Sequence, residues 1–351
     1  MKIQISEHDL LGALTKVASV VEKRHTLQVL SMIKIVASGD KVELTATDLE
    51  LTATATVAAS IDSEGGVCVP ADKLMSAAKS AKKPVTMELD GRILVVKTGR
   101  RVFRLQTLPA GEFPSSDIGE FTPIAGEGVL DAMRFVAHAM GNKDARHHLN
   151  GLYIAGGDSR TTVVATDGHR LAAQHLGFQS EMSAIIPRKS ALIIPTLFDS
   201  EADMMSGDNS LSFRSDSLAV TTRLIDWTYP NWERVVPDRP EEVTVSAEDL
   251  MTALSAIKAT ANEKFNQFKM TVGGGEMELK TSNPNNDSSF DVIECDHGGG
   301  YSLELGMSIP YAQDALRALA VDTVTLKTDG PSDSVRIDDG NRTCVLMPVR
   351  L

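Results

Sequence analysis

The sequence predicts an α+β chain built from three similar modules, and three recurring features point to it. A helix-start pattern returns around Leu10, Leu130 and Leu250, which lie 120 residues apart at each step. An apolar residue followed by proline and a short helix-like segment occurs three times. Alternating polar and apolar residues around Gly, Asp and Ser then close each copy, ending on Pro114, Pro230 and Pro348. Self-similarity repeated in the same order means one supersecondary unit used three times.

The first copy opens Ser6-Glu7-His8-Asp9 and the third Ser246-Ala247-Glu248-Asp249. Ser-x-x-Asp before an apolar run resembles a capping box with Asp in place of Glu, so a helix starts there. Leu10, Leu14, Val17, Ala18 and Val21 share one face at 3.6-residue spacing, as do Leu130, Met133, Val136, Ala137 and Met140. Such stripes should pack against a sheet. The proline markers are Val69-Pro70, Ile186-Pro187 and Ile309-Pro310, each placed to start a second helix, because proline suits a first helical turn. The hairpins expected next are 85–90 with 93–97, 211–214 with 218–222 and 324–327 with 334–337. Each module is thus two helices packed on antiparallel sheets, with boundaries at 1–120, 121–237 and 238–351. The short connections between like modules favour a fixed arc.

Composition narrows the class. Hydrophobic residues make up 42% and charged residues 23% of 351 residues, the balance of an ordinary globular chain. No apolar run reaches the length of a membrane-spanning helix, and the N-terminus reads as lacking a signal peptide. Cys68, Cys295 and Cys344 are isolated, which points to reduced thiols, a cytoplasmic location and no metal site.

The net charge of −12 argues against a nucleic-acid partner unless the positive residues are segregated. Helices predicted at 7–24, 72–83, 127–146, 188–199, 248–264 and 311–319 hold 15 Lys and Arg against 12 Asp and Glu. The remainder holds 20 against 35. Helices gathered on one surface would make it positive and leave the rest acidic. Equally, Lys is a good helix former on any solvated face.

Particular strings carry a family resemblance. They are Ala165-Thr166-Asp167-Gly168-His169-Arg170-Leu171-Ala172, Arg146 with Leu149-Asn150-Gly151, Tyr229-Pro230-Asn231 and the terminal Met347-Pro348-Val349-Arg350-Leu351. In the first module Thr45-Ala46-Thr47-Asp48-Leu49-Glu50-Leu51, Thr107-Leu108-Pro109-Ala110 and Phe113-Pro114 join them. In this order, over the whole chain, the sequence resembles the bacterial β sliding clamps, the β subunits of DNA polymerase III. The resemblance implies the DNA-clamp fold, with each chain forming half of a ring. The ring is a head-to-tail homodimer that encircles duplex DNA without sequence preference and acts as a processivity factor. It also implies a pocket shared by the polymerase III catalytic subunit, the clamp loader, and other polymerases and repair proteins that carry short binding peptides.

By resemblance the pocket takes Leu149, Thr166, Gly168, His169, Arg170, Leu171, Pro230, Val235, Tyr311, Val345, Met347, Pro348, Val349 and Arg350. Its apolar content suits a hydrophobic peptide in a groove. DNA contacts fall on Arg24, Lys79, Lys143, Arg146, His147 and His148, and the dimer interface on Phe103, Leu105, Lys264 and Phe265. The chain departs from the family pattern at His147 and His148, where tyrosines are usual, at Gln28 and Ser308, and at Val349, where methionine is usual.

No catalytic residue and no cofactor is expected. HExxH, GxxxxGK[ST] and Gly-x-Ser-x-Gly are absent from the sequence. The Thr-Asp of the 166–169 string recurs at Thr47-Asp48, which favours a turn in which Asp caps backbone N–H groups. Gly273-Gly274-Gly275 and Gly298-Gly299-Gly300 read as hairpin turns.

Overall fold

The computed structural model describes residues 1–22, 26–114, 120–157, 159–237, 241–297, 303–328, 330 and 332–349. Six α-helices lie among them: α1 (Glu7–Ala18), α2 (Ala71–Lys79), α3 (Val129–Val136), α4 (Arg188–Leu197), α5 (Ala247–Ile257) and α6 (Ile309–Leu319). The chain divides into two compact units, one of Met1–Gly126 with Ile193–Leu224, the other of Glu127–Leu192 with Ile225–Leu351.

The first unit holds a five-stranded and a nine-stranded antiparallel sheet. The smaller runs in the order Ser60–Ser63, Lys2–Ile5, Val85–Asp90, Ile93–Thr98, Arg101–Gln106. The larger includes Met32–Ser38, Lys41–Thr47 and Leu51–Ala58, and continues through Leu218–Arg223 into the second repeat. On α1 the predicted stripe is mostly real. Leu10, Leu14 and Val17 are fully buried, while Ala18 and Val21 are half-buried. Each fully buried leucine contributes roughly 2 kcal/mol of transfer free energy.

The second unit is built on twelve strands. Ser180–Pro187, Gly151–Gly157, Thr162–Thr166 and Arg170–His175 come from the second repeat. Arg342–Leu346, Val335–Asp338, Thr323–Thr328, Glu241–Ser246, Ser288–His297, Glu276–Ser282, Gln267–Gly273 and Leu303–Ser308 come from the third. The join is the pairing of Leu171 with Val345 and Ala172 with Cys344. The compact units therefore do not follow the repeat, because two sheets run unbroken across repeat boundaries.

The predicted hairpins form in register. Gly274 and Gly275 both take positive φ in a two-residue turn, a conformation that glycine adopts without steric cost. Gly298-Gly299-Gly300 lies outside the described residues. Ser246 caps α5, its Oγ accepting from Asp249 N at 3.2 Å, whereas Ser6 makes no such bond on α1. Pro310 sits in the first turn of α6, but Pro70 and Pro187 are the last residues of strands, one position ahead of their helices.

The helices are shorter than periodicity suggested. The segment expected as helix 127–146 leaves α-geometry after Val136 and turns at Met140, whose ψ is 139°. Lys143 and Arg146 are loop residues. Counted over α1–α6 as formed, basic and acidic residues balance, seven of each. The other described basic residues of the expected helices lie beyond the α-helical segments, at Lys82, Lys83, Lys143, Arg146, Lys258 and Lys264. Lys79, Lys82 and Lys258 sit within one turn of a helix C-terminus and face the negative end of its dipole.

Among the open strand edges of the described residues, two carry large exposed apolar side chains. Arg101–Gln106 ends the five-stranded sheet. The first part of Ser288–His297 pairs on one side only, with Glu276–Ser282, and its partner on the far side begins at Cys295. Large apolar side chains are exposed along both edges: Val102 at 56%, Phe290 at 67% and Val292 at 42%.

Candidate functional site

A single turn organises the site. Asp167 Oδ1 accepts from His169 N (2.9 Å) and Arg170 N (3.0 Å), while Thr166 Oγ1 accepts from Gly168 N and donates to Arg170 O. Gly168 has φ +85°, and a Cβ there would meet the Arg146 guanidinium at 3.0 Å. The first repeat builds the same turn, with Asp48 accepting from Glu50 N and Leu51 N and Thr47 from Leu49 N. Leu49 takes the left-handed position at φ 80°. A third copy, unnoticed in the sequence, stands at Asp339, which accepts from Asn341 N and Arg342 N. This recurrence confirms the turn reading: these aspartates hold backbone, and local side-chain hydrogen bonds of this kind fix the chain reversal.

Behind the turn lies an apolar floor. Leu149, Val164, Leu171, Ala173, Ile185, Tyr229 and Val345 form one buried cluster, with Tyr153, Ile225, Trp232 and Val236 packed on it. Leu149 is placed by the loop after α3. Gly141 N donates to Leu149 O, and Asp144 N donates to Asn150 Oδ1. The Tyr229 ring stacks on Tyr153 at 4.7 Å, and its hydroxyl accepts from Thr166 N at 3.1 Å. Burial pushes that phenol well above its ordinary pKa, so it stays protonated.

Charged groups make one wall. Arg170 donates from Nε to Asp167 Oδ2 (3.2 Å) and from Nη1 to Asp314 Oδ2 (2.7 Å), and its guanidinium lies 4.4 Å from the centre of the Tyr311 ring. With both carboxylates and a ring as partners, Arg170 is fixed rather than free to recruit a ligand anion. Arg146 has partners of its own. It donates from Nε and Nη2 to Asp144 and from Nη2 to Asp167 O, and this pairing holds the Asp144 carboxyl far below its ordinary range.

The terminal segment makes the other wall. Met347 N donates to His169 O (2.9 Å) and Val349 N to Gly306 O (2.9 Å). Met347 is exposed and Pro348 and Val349 half-buried, with exposed Pro230 and Val235 on the neighbouring segment. Thus 13 of the 14 expected pocket residues are described, all in the second compact unit. Arg350 lies outside the described residues. Sequence reasoning missed Tyr153, Trp227, Trp232 and Asp314. Both tryptophans of the chain fall within six residues of one another beside Tyr229, a concentration that could have drawn attention.

Of the expected DNA contacts, Arg24 lies outside the described residues. Lys79 is the exposed last residue of α2, Lys143 and His147 are exposed, and His148 is half-buried. Of the expected interface residues, Phe103 and Leu105 lie on the open strand Arg101–Gln106. Phe103 is half-buried and Leu105 is buried within its own chain. Phe265 is 57% exposed, with Lys264 Nζ 5.1 Å above its ring. Among the described residues no group of three His, Cys, Asp or Glu side chains could hold a metal ion.

One half-buried histidine supports the pocket wall. His138 packs edge-on against Phe135, and its Nε2 lies 3.8 Å from Cys344 Sγ, while Nδ1 is buried without a hydrogen-bond partner. Burial, and then Arg170, push its pKa down to about 4, with Asp314 and Asp167 opposing. The unfolded histidine titrates near the ordinary value, so its neutral form stabilises the fold fully above about pH 6.5. That contribution is lost as pH falls towards 4. At pH 5 the expected loss is about 2 kcal/mol. Thermal melts at pH 7 and pH 5 should therefore show a smaller drop for His138→Gln than for the unmodified chain. Equal drops would remove His138 as the source.

Comparison with known proteins gives the same picture end to end. Models of the DNA polymerase III beta subunit match in order: the N-terminal domain over residues 1–117, the central domain over 124–231 and the C-terminal domain over 233–350. The beta sliding clamp of Pseudomonas aeruginosa is 31% identical over 368 residues and that of Escherichia coli 28% over 370, each alignment covering 100% of both chains. The crystal structure of the P. aeruginosa DNA polymerase III subunit beta matches with a TM-score of 0.94 at 30% identity, covering 100% of both chains. A P. aeruginosa clamp structure bound to griselimycin matches equally, with a TM-score of 0.94, 30% identity and 100% coverage of both chains. The chain belongs to the DNA polymerase III beta subunit family, the beta sliding clamps.

Proposed function

We propose that two copies of this chain close into a ring around duplex DNA and hold the replicative polymerase on it, as a processivity factor with no chemical step of its own. The observation that carries this is the in-order match of three clamp-domain models along the whole chain. The three domains correspond to residues 1–120, 121–237 and 238–351, and the protein works in the cytoplasm. A closed ring keeps its hold topologically, so weak contacts from Arg24, Lys79, Lys143, Arg146, His147 and His148 are sufficient. A net charge of −12 is then no obstacle.

The strand pairings support the ring. Twice within one chain, the third strand after a repeat's first helix pairs with the last strand of the next repeat's second hairpin. Leu51–Ala58 pairs with Leu218–Arg223, and Arg170–His175 with Arg342–Leu346. The remaining members of that series are Ser288–His297 and Arg101–Gln106, the two strands with open, apolar edges. Open edges of this kind seek a partner strand. In a head-to-tail pair of chains each edge finds the other, twice, and the assembly closes. Phe103 and Leu105 lie on that seam, with Lys264 and Phe265 beside it.

The pocket formed by Leu149, Thr166, Gly168, His169, Arg170, Leu171, Pro230, Val235, Tyr311, Val345, Met347, Pro348, Val349 and Arg350 takes the binding peptides of the polymerase III catalytic subunit. The clamp loader and other polymerases and repair proteins use the same pocket. An apolar floor with a backbone edge beside it suits a short peptide.

Light scattering on a sizing column tests the ring. The subunit mass is 37.7 kDa, and a particle of twice that, stable on dilution, is expected. A strict monomer at micromolar concentration would remove the ring and leave a peptide-binding scaffold.

A further inference from the structure

Trp227 is 65% exposed, more than a tryptophan on a monomer's surface normally is. Its ring runs parallel to that of His148, at 10° with centroids 6.1 Å apart, and His148 meets Tyr229 edge-on at 6.5 Å. The backbone holds this arrangement. Trp227 N donates to Ile225 O, and Ile225 N to Ile185 O, which belongs to the pocket floor. His148 directly precedes Leu149, another floor residue. The aromatic surface is therefore continuous with the floor through Tyr229, Leu149 and Ile225.

We propose that Trp227 and His148 form an aromatic shelf that extends the pocket and selects partner peptides carrying an aromatic residue next to the segment that fills the floor. The inference rests on the pocket reading above and adds a specificity determinant to it. Rigid aromatic anchors beside a desolvated pocket are where binding energy concentrates. Continuity with the pocket floor through Tyr229, Leu149 and Ile225 favours a peptide as the occupant. Exposed Asp226 adjoins Trp227. A phosphate backbone laid on Trp227 would meet that carboxylate.

Calorimetry on the full chain, using two peptides, tests the shelf. One is acetyl-Trp-Gly-Ser-Leu-Phe-amide; the other has Gly in place of Trp. Leu-Phe is chosen to match the apolar floor. The unmodified protein should bind the Trp peptide about tenfold more tightly. Trp227→Ala should abolish that preference while leaving affinity for the Gly peptide unchanged, and Trp227→Phe should restore most of it. A preference that survives in Trp227→Ala, or failure of the unmodified protein to bind either peptide, overturns the shelf. Weaker binding of a short DNA duplex by Trp227→Ala, with peptide preference intact, also overturns it and assigns the surface to DNA. Failure of the pocket reading looks different: the chain lacking Met347–Leu351 would then bind both peptides as tightly as the full chain.

Discussion

Deleting Met347–Leu351 is expected to weaken binding of the polymerase III catalytic subunit by about 100-fold or more while the mass of the clamp stays that of a dimer. The strand before the deletion, Arg342–Leu346, is core. Cys344, Val345 and Leu346 are buried, and the strand is paired on both sides. The deletion takes away the exposed Met347 side chain, the half-buried Pro348 and Val349, and the two backbone bonds to His169 O and Gly306 O. The fold loses little, whereas a bound peptide loses a whole wall. Losing a cluster of anchors costs a peptide complex about 3 kcal/mol or more, hence the two orders of magnitude. Surface plasmon resonance with immobilised clamp reads the affinity. Unchanged affinity after truncation would sink the pocket assignment.

Placing proline at Arg104 should convert the dimer to a monomer without unfolding the chain. Thr98 and Arg101 close a two-residue hairpin, so the N–H groups of Arg101, Phe103 and Leu105 point into the sheet and that of Arg104 points out. Proline removes an outward donor and is tolerated on an edge strand. If this edge meets Ser288–His297 of a second copy, the loss of that bond and the local bend should weaken association by roughly 100-fold. Sedimentation equilibrium would show half the mass with an unchanged circular dichroism spectrum. A dimer of unaltered stability would place the interface elsewhere.

The parts of the site legible in the sequence were local ones. The hairpins built on 85–98, 210–223 and 323–338 arise from alternation and turn residues, and the Thr-Asp turns from hydrogen bonds spanning two or three residues. The third turn, at Asp339, went unrecognised because no threonine precedes it. Helix ends were misjudged for a physical reason. The apolar stripe in 127–146 continues through Met140, which is buried, but the chain reaches that position through a 3₁₀ turn rather than an α-helix. Burial by itself does not distinguish the two.

The order of amino acids was enough to establish the threefold repeat, the α+β class, the positions of the hairpins and helices, and the residues whose strings mark the family. Which strands from different repeats pair was settled only in the folded chain. Leu171 meets Val345 and Val220 meets Ala53, partners more than 160 residues apart. A period of two tells which face of a strand is buried but carries no information about its neighbour. The pocket floor, which joins Val345 to Leu149, Leu171 and Tyr229, depends on that long-range pairing, and His148 meets Trp227 from 79 residues away, so no local pattern could have announced them.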